Sequence, residues 1–270
     1  MNISDLIKFA LDEDLGLAGD ITSQAIFAPD HKSSAKIIAR EKGVLSGISI
    51  VEQVFGLGQV KMNDGAKVKK GDVVFEINNA PTLHILSHER VALNLLSHLS
   101  GIATATSKYV EAVKGTNTHI CCTRKTIPNL RSLQKQAVKH GGGNNHRFGL
   151  FDAVMIKDNH IAACGGDILK TIEKVKNAVG HMVKIEIEVD TIEQFKKIIG
   201  SPVDVVLLDN MSPAQILEII AINNNRYILE ASGGITIETI GDYAKTGVNL
   251  ISVGALTHSV KAFDFGLDYL

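Results

Sequence analysis

HMVKIEIEVDTIEQFKKIIGSPVDVVLLDN, residues 181–210, sets two short runs rich in Val, Ile and Leu on either side of an amphipathic segment. The first run, HMVKIEIEV, alternates apolar and acidic residues near its end, the period-two pattern of a strand with two unlike faces. TIEQFKKII fits a helix, and VDVVLL reads as a second strand. A strand followed by a helix and another strand is the unit of a parallel sheet, because parallel strands need a long crossover between them.

The same rhythm extends in both directions. THICC (118–122), FDAVMI (151–156), RYILEA (226–231) and NLISV (249–253) add four strands, for six in all. SPAQILEII and TIETIGDYA supply further helices, with Ser212-Pro213 a strong cap and first-turn signal. Immediately after these runs come Thr123-Arg124-Lys125, Lys157-Asp158, Glu188, Asp209, Ser232-Gly233 and Gly254. In an α/β barrel the C-terminal strand ends converge on one mouth, where loops build the active site. An open doubly wound sheet is the alternative; the recurrence of charged and glycine residues at every strand end favours a barrel and an enzyme.

That mouth would hold Arg124, Lys125 and Lys157, with His146 and Arg147 delivered by the loop before the second strand. Such a cluster repels itself unless an anion binds, and guanidinium forks match carboxylate or phosphate oxygens in pairs. Glu188 and Asp209 bring the opposite sign. They suit Mg²⁺ associated with diphosphate, held directly or through water, or sugar hydroxyls, or positive charge during bond breaking. Glu186, two residues earlier, shares the inward direction of Glu188, and Asp190 competes less well because it can cap the following helix. ASGGIT (231–236) and SVGALTHS (252–259) let backbone amides approach a phosphate at Gly233 and Gly254. The GGG at 141–143 is neither a dinucleotide fingerprint nor a P-loop.

Upstream, helix and strand mix. SDLIKFALDEDL reads as a helix with Ser4 as its cap, and Asp64-Gly65 favours a tight reversal between strands of a plain hairpin. That hairpin has a passing likeness to a biotinyl or lipoyl carrier, but NNAP follows where a modifiable lysine turn would stand. From His88 to Val113 apolar positions advance by three or four, which predicts a helix that Gly101 could interrupt or kink.

Composition narrows the function. Lys plus Arg total 28 against 29 Asp plus Glu, a net charge of -1 that gives no general attraction to nucleic acid or anionic membrane. No run reaches roughly 18 apolar residues, so no membrane span is expected. Cys121, Cys122 and Cys164 lack zinc-ligand spacing, and a reducing cytoplasm suits them.

LDEDLGLAGDITS, HERVALNLLSHLSGIAT, TRKTIPNLR, KHGGGNNHRFGLFDAVMIKDNH, IEIEVD, LLDN, ASGGI and SVGALTHS, in this order, closely resemble the quinolinate phosphoribosyltransferase family, also called nicotinate-nucleotide diphosphorylases. The resemblance implies an N-terminal α/β sandwich (1–103), an incomplete parallel α/β barrel (104–258) and a C-terminal tail (259–270) returning to the first domain. It implies transfer of phosphoribosyl from 5-phosphoribosyl 1-diphosphate to quinolinate, with nicotinate mononucleotide, diphosphate and CO₂ as products and Mg²⁺ as cofactor. A non-decarboxylating enzyme acting on nicotinate or a related pyridine carboxylate is the alternative, and an aldolase with a Schiff base on Lys157 is a more distant one.

Carried onto this chain, Arg124, His146, Arg147 and Lys157 resemble the pocket for quinolinate and the phosphoribosyl donor, with Lys125 beside the phosphates. Glu188 and Asp209 resemble the acidic pair near ribose and Mg²⁺, and these two with Lys125 and Lys157 are the expected catalytic residues. Ser232, Gly233 and Gly254 resemble phosphate loops, with His258 at the same end. Arg90 resembles an arginine supplied by a neighbouring subunit, which implies a homodimer. The chain departs from many relatives at Cys122, where Asp is common, and at Ile127 and Asn129, where Thr and Gly are frequent.

Overall fold

The computed structural model describes residues 2–270. Packing divides the chain into two compact units. One comprises residues up to Ser107 together with Ile127–Gly142 and Ser259–Leu270; the other comprises Lys108–Thr126 and Gly143–His258.

In the first unit, α1 (Ile3–Leu15) is capped by Asn2, whose side chain accepts from the Asp5 amide. Ser4 therefore lies inside the first turn and is not the cap: the Asn2 carbonyl sits one position before the helix, where it can reach an otherwise unpaired N–H. After α2 (Ile21–Ile26) come β1 (Lys32–Ala39), β2 (Gly43–Val44), α3 (Ile48–Phe55), β3 (Gln59–Val60), β4 (Lys67–Val68) and β5 (Val73–Pro81). The expected hairpin across Asp64-Gly65 does not form, because β3 pairs with β5 whereas β4 pairs with β2. Asp64 has a different task. Its carboxylate accepts the amides of Gly47 at 2.6 Å and Ile48 at 2.9 Å, satisfying the start of α3, which has no side-chain cap of its own.

The helix α4 (Thr82–Ala112) begins six residues before His88 and passes through Gly101 without a break. Gly101 is a point of close approach rather than a kink, since a Cβ there would meet the Lys261 carbonyl oxygen well inside van der Waals contact. Both residues belong to the first unit. Replacement of Gly101 by alanine should therefore destabilise the protein by about 1–3 kcal/mol despite alanine's better helix propensity. A urea midpoint unchanged or raised in G101A would contradict this.

The second unit carries the barrel. Its strands are β6 (His119–Cys121), then, beyond α5 (Arg131–His140) of the first unit, β7 (Val154–Ile156), and, after α6 (Asp158–Ala163) and α7 (Ile168–Ala178), β8 (Ile185–Val189). Next come α8 (Ile192–Ile198), β9 (Val205–Asp209), α9 (Pro213–Asn223), β10 (Ile228–Ser232), α10 (Ile240–Lys245), β11 (Leu250–Ser252) and α11 (Ala255–His258). All six strands run parallel in the order β6-β11-β10-β9-β8-β7. A doubly wound sheet reverses its strand order from the middle. Here the order is consecutive and the first strand pairs with the last, as barrel closure requires. Closure is incomplete between β6 and β7, where a single parallel bridge joins Cys121 to Asn144. Asn144 donates to Ile120 O at 2.7 Å and accepts from Cys122 N at 3.0 Å.

Local chemistry sets the helix starts. Ser212 and Gln215 form a reciprocal capping box, with Pro213 in the first turn. Thr191, not Asp190, caps α8, its hydroxyl accepting from Gln194 N at 3.1 Å. Between sheet and helices lies an apolar core including Ile185, Ile187, Val189, Phe195, Val206 and Leu208. Tyr227 meets Phe195 edge to face, and its buried hydroxyl donates to Ile198 O at 2.9 Å and accepts from Gly200 N at 2.8 Å. The final strand, β12 (Phe265–Tyr269), pairs antiparallel with β1, giving the first unit a sheet of order β12-β1-β5-β3.

Candidate active site

Strand alternation and register build the site. On β8, Ile185, Ile187 and Val189 pack into the apolar core, which sends Glu186 and Glu188 to the other face. Glu188 pairs in register with Leu207, Leu207 with Glu230, and Asp209 with Ser232. These inward positions meet Thr123, Arg124 and Lys125 after β6, Met155 on β7, Lys157 after it, Ser252 on β11, and His146 and Arg147 from the loop before β7. Together they line one cleft of about 430 Å³.

Eight residues singled out in the sequence thus share a cavity: Arg124, Lys125, His146, Arg147, Lys157, Glu188, Asp209 and Ser232. Glu188, Asp209 and Ser232 lie within the last residues of their strands rather than just beyond them. Gly254 and His258 adjoin Lys125; a Cβ on Gly254 would come within 3.0 Å of both side chains. Gly233 has φ +92°, and any side chain there would collide with Asn210. Arg90 is on α4 in the first unit, exposed, with its guanidinium 3.9 Å from the Glu89 carboxylate. Reading only strand termini missed Glu230, Leu207, Met155 and Ser252. Counting back two from Ser232 and Asp209 would have found the first two.

The cleft has two electrostatic sides. Among the described residues, Nε of Arg124 and Nε of Arg147 are both buried without a hydrogen-bond partner, although Arg147 Nη1 donates to Ala153 O at 2.9 Å. Burial, reinforced by the Arg124 charge, lowers the Arg147 pKa from its ordinary value, so this pair is in mutual conflict. Lys157 Nζ forms an ion pair with Glu188. Cys122 is fully buried, and its thiol donates to Asn145 Oδ1 at 3.2 Å.

Deeper in, His146 Nε2 lies 2.9 Å from Glu186 Oε2 and 3.6 Å from Glu230 Oε1. The donor atoms of His146, Glu186 and Glu230 lie within 4.8 Å of one another, a buried cluster of ligand types capable of coordinating a divalent metal. Recruiting His146 would require Arg147 N to leave Nδ1, which accepts from it at 2.8 Å. Burial, then the Glu186 carboxylate, push the Glu230 pKa up to about 7, against smaller opposing effects of His146 and Ser252. A carboxyl raised in the folded state favours folding below its unfolded pKa, and that contribution is lost as pH rises through about 7. Glu230→Gln should therefore be more stable than wild type at pH 8, on the order of 2–3 kcal/mol at most, with the advantage gone near pH 4. Urea denaturation at both pH values checks it; an advantage independent of pH would contradict it.

Residues 20–100 match the family profile described as quinolinate phosphoribosyl transferase, N-terminal domain, and residues 102–268 match that of the C-terminal domain. The chain belongs to the quinolinate phosphoribosyltransferase family. It is 43% identical over 274 residues to the probable nicotinate-nucleotide pyrophosphorylase [carboxylating] of Bacillus subtilis, covering 99% of this chain and 93% of that protein. It is 40% identical to the nicotinate-nucleotide pyrophosphorylase [carboxylating] of Mycobacterium leprae over 98% of this chain and 96% of that one. Among solved structures, nicotinate-nucleotide pyrophosphorylase from Ehrlichia chaffeensis superposes with a TM-score of 0.95 at 39% identity, covering 100% and 99% of the two chains. Family membership accounts for the pairing of a six-stranded incomplete barrel with an N-terminal α/β unit.

Proposed function

We infer that this enzyme transfers phosphoribosyl from 5-phosphoribosyl 1-diphosphate to quinolinate and releases nicotinate mononucleotide, diphosphate and CO₂. The observation that carries the reading is the division of one cleft into a side with two half-buried arginines, whose buried Nε atoms have no partner among the described residues, and a side with Glu188 and Asp209. A planar dicarboxylate satisfies the first side, and a ribose passing through oxocarbenium character suits the second.

In this account Arg124, Arg147 and Lys157 hold the quinolinate carboxylates and aim the ring nitrogen at ribose C1. Glu188 and Asp209 stabilise positive charge as the C1–O bond to diphosphate breaks, while Lys125 gathers the leaving group's negative charge beside Gly254 and His258. Ser232 and Gly233 offer the phosphate end a hydroxyl and a close backbone approach. The ring nitrogen bonds to C1, and as the C2 carboxylate departs as CO₂ the electron pair of the broken C–C bond stays on C2, stabilised by the adjacent positive ring nitrogen. That carbon then takes a proton, from Lys157 or from water. Two carboxylates lining the cleft fit Mg²⁺, and Glu188 and Asp209 would hold it directly or through water. When bound, it offsets diphosphate charge.

Lys157 is engaged by Glu188, which suits a binding cation better than the free amine a Schiff base needs. Turnover of quinolinate and nicotinate side by side tests the reading. Mononucleotide from quinolinate alone supports it, and mononucleotide from nicotinate without CO₂ favours the non-decarboxylating alternative.

Arg90 is proposed to complete the pocket of a second copy in a homodimer. Its exposure and its weak pairing with Glu89 leave its guanidinium available. R90A and R124A should each be nearly inactive. Remixed in equal amounts, they should recover about a quarter of wild-type activity, since half the dimers are hybrids with one intact site of two. No recovery despite verified subunit exchange would contradict it.

A further inference from the structure

We propose that Glu186 is a positioning residue that acts through His146 to fix Arg147 for quinolinate. The inference rests on the function proposed above and assigns a task to a residue that would not itself touch substrate.

The two nitrogens of His146 have unlike partners. The Arg147 backbone N–H donates to Nδ1 at 2.8 Å, so Nδ1 has no proton. The ring proton is therefore on Nε2, which lies 2.9 Å from Glu186 Oε2. A proton on Nδ1 would set two N–H groups head to head. One peptide N–H thus selects the tautomer, and one buried carboxylate receives the proton that the tautomer presents.

Glu186 is only 6% exposed and extends from β8, inside the sheet, so its carboxylate is a fixed point. His146 belongs to the loop that bridges the open side of the barrel, where Asn144 pairs with β6. The bond from Glu186 through the imidazole to Arg147 N ties this loop to the sheet immediately before the side chain that binds substrate. Arg147 is also anchored by its bond to Ala153 O at 2.9 Å, and its buried Nε is left for a ligand. A guanidinium beside Arg124 would otherwise swing away from its like-charged neighbour.

Glutamine at position 186 retains an oxygen to accept from Nε2, whereas leucine has the volume without the acceptor. Glu186→Leu should raise KM for quinolinate about 30-fold or more through misplacement of Arg147, with KM for phosphoribosyl diphosphate and kcat changed far less. Glu186→Gln should recover most of that loss. Equal damage in both variants, an undamaged E186L, or a parallel fall in all three kinetic parameters would overturn the proposal. The wild-type protein provides a test independent of variant folding. Two-dimensional ¹⁵N–¹H spectra of the imidazole rings, with the His146 signals assigned from H146N, should show a neutral ring protonated on Nε2. A ring protonated on Nδ1 would overturn the proposal. Because this reading needs no turnover, it separates failure here from failure of the proposed reaction, which would appear as inactive wild-type protein carrying the Nε2–H ring.

Discussion

Arg124→Ala should lower kcat/KM for quinolinate by about a thousandfold, within the 2–5 kcal/mol that truncating one partner of a buried charge pair costs. The reason is the unusual state of the guanidinium before substrate arrives. Its Nε is buried without a partner among the described residues, inside a cleft that also holds the Arg147 charge, so the cost of burying that one N–H is already present in the free protein. An incoming carboxylate regains that cost by forming the missing bonds. Alanine removes the bonds and leaves the substrate carboxylate without its planar cationic partner. Arg124→Lys should be intermediate, because a single ammonium restores charge but not the planar pair of donors. Steady-state kinetics, with circular dichroism to verify folding, would decide. Unchanged kinetics in folded R124A would remove Arg124 from the binding scheme.

Asp209→Asn and Glu188→Gln should do the opposite kind of damage. Their carboxylates face the charge that develops on ribose, so kcat should fall by roughly a hundredfold to a thousandfold in each. KM for quinolinate should hold or drop, since each change removes a negative charge from the cleft that receives a dianion. The drop should be larger in E188Q. Glu188 engages Lys157 directly, whereas Asp209 accepts from the Asn210 side chain at 2.6 Å and pairs with no lysine among the described residues. A KM increase in both variants with kcat preserved would place the acidic pair in quinolinate binding and contradict the proposed division of the cleft.

The barrel was legible because its strands are short, buried and separated by helices with plain starting signals. Ser212-Pro213 and the alternation in IEIEV needed no tertiary information. Arg124, Lys157, Glu188 and Asp209 were legible because barrel strands deliver whatever stands at their C-terminal ends to one place. Glu230 escaped because it lies one layer deeper, between Leu229 and Ala231 inside the strand rather than at its end. Register with Leu207 is what turns it into the cleft. The first unit was harder. β3 and β4 have two residues each and pair with strands remote from their own turn, a choice that local sequence does not encode. Gly101 looked like a helix breaker because the residue that makes it necessary, Lys261, lies 160 positions along the chain.

The most direct test of the proposed reaction is turnover of quinolinate labelled with ¹³C at its C2 carboxyl, in the presence of phosphoribosyl diphosphate and Mg²⁺. Labelled CO₂ and unlabelled nicotinate mononucleotide should appear in equal amounts and at the same rate. Mononucleotide that retains the label, or forms without labelled CO₂, would contradict coupled transfer and decarboxylation in this cleft.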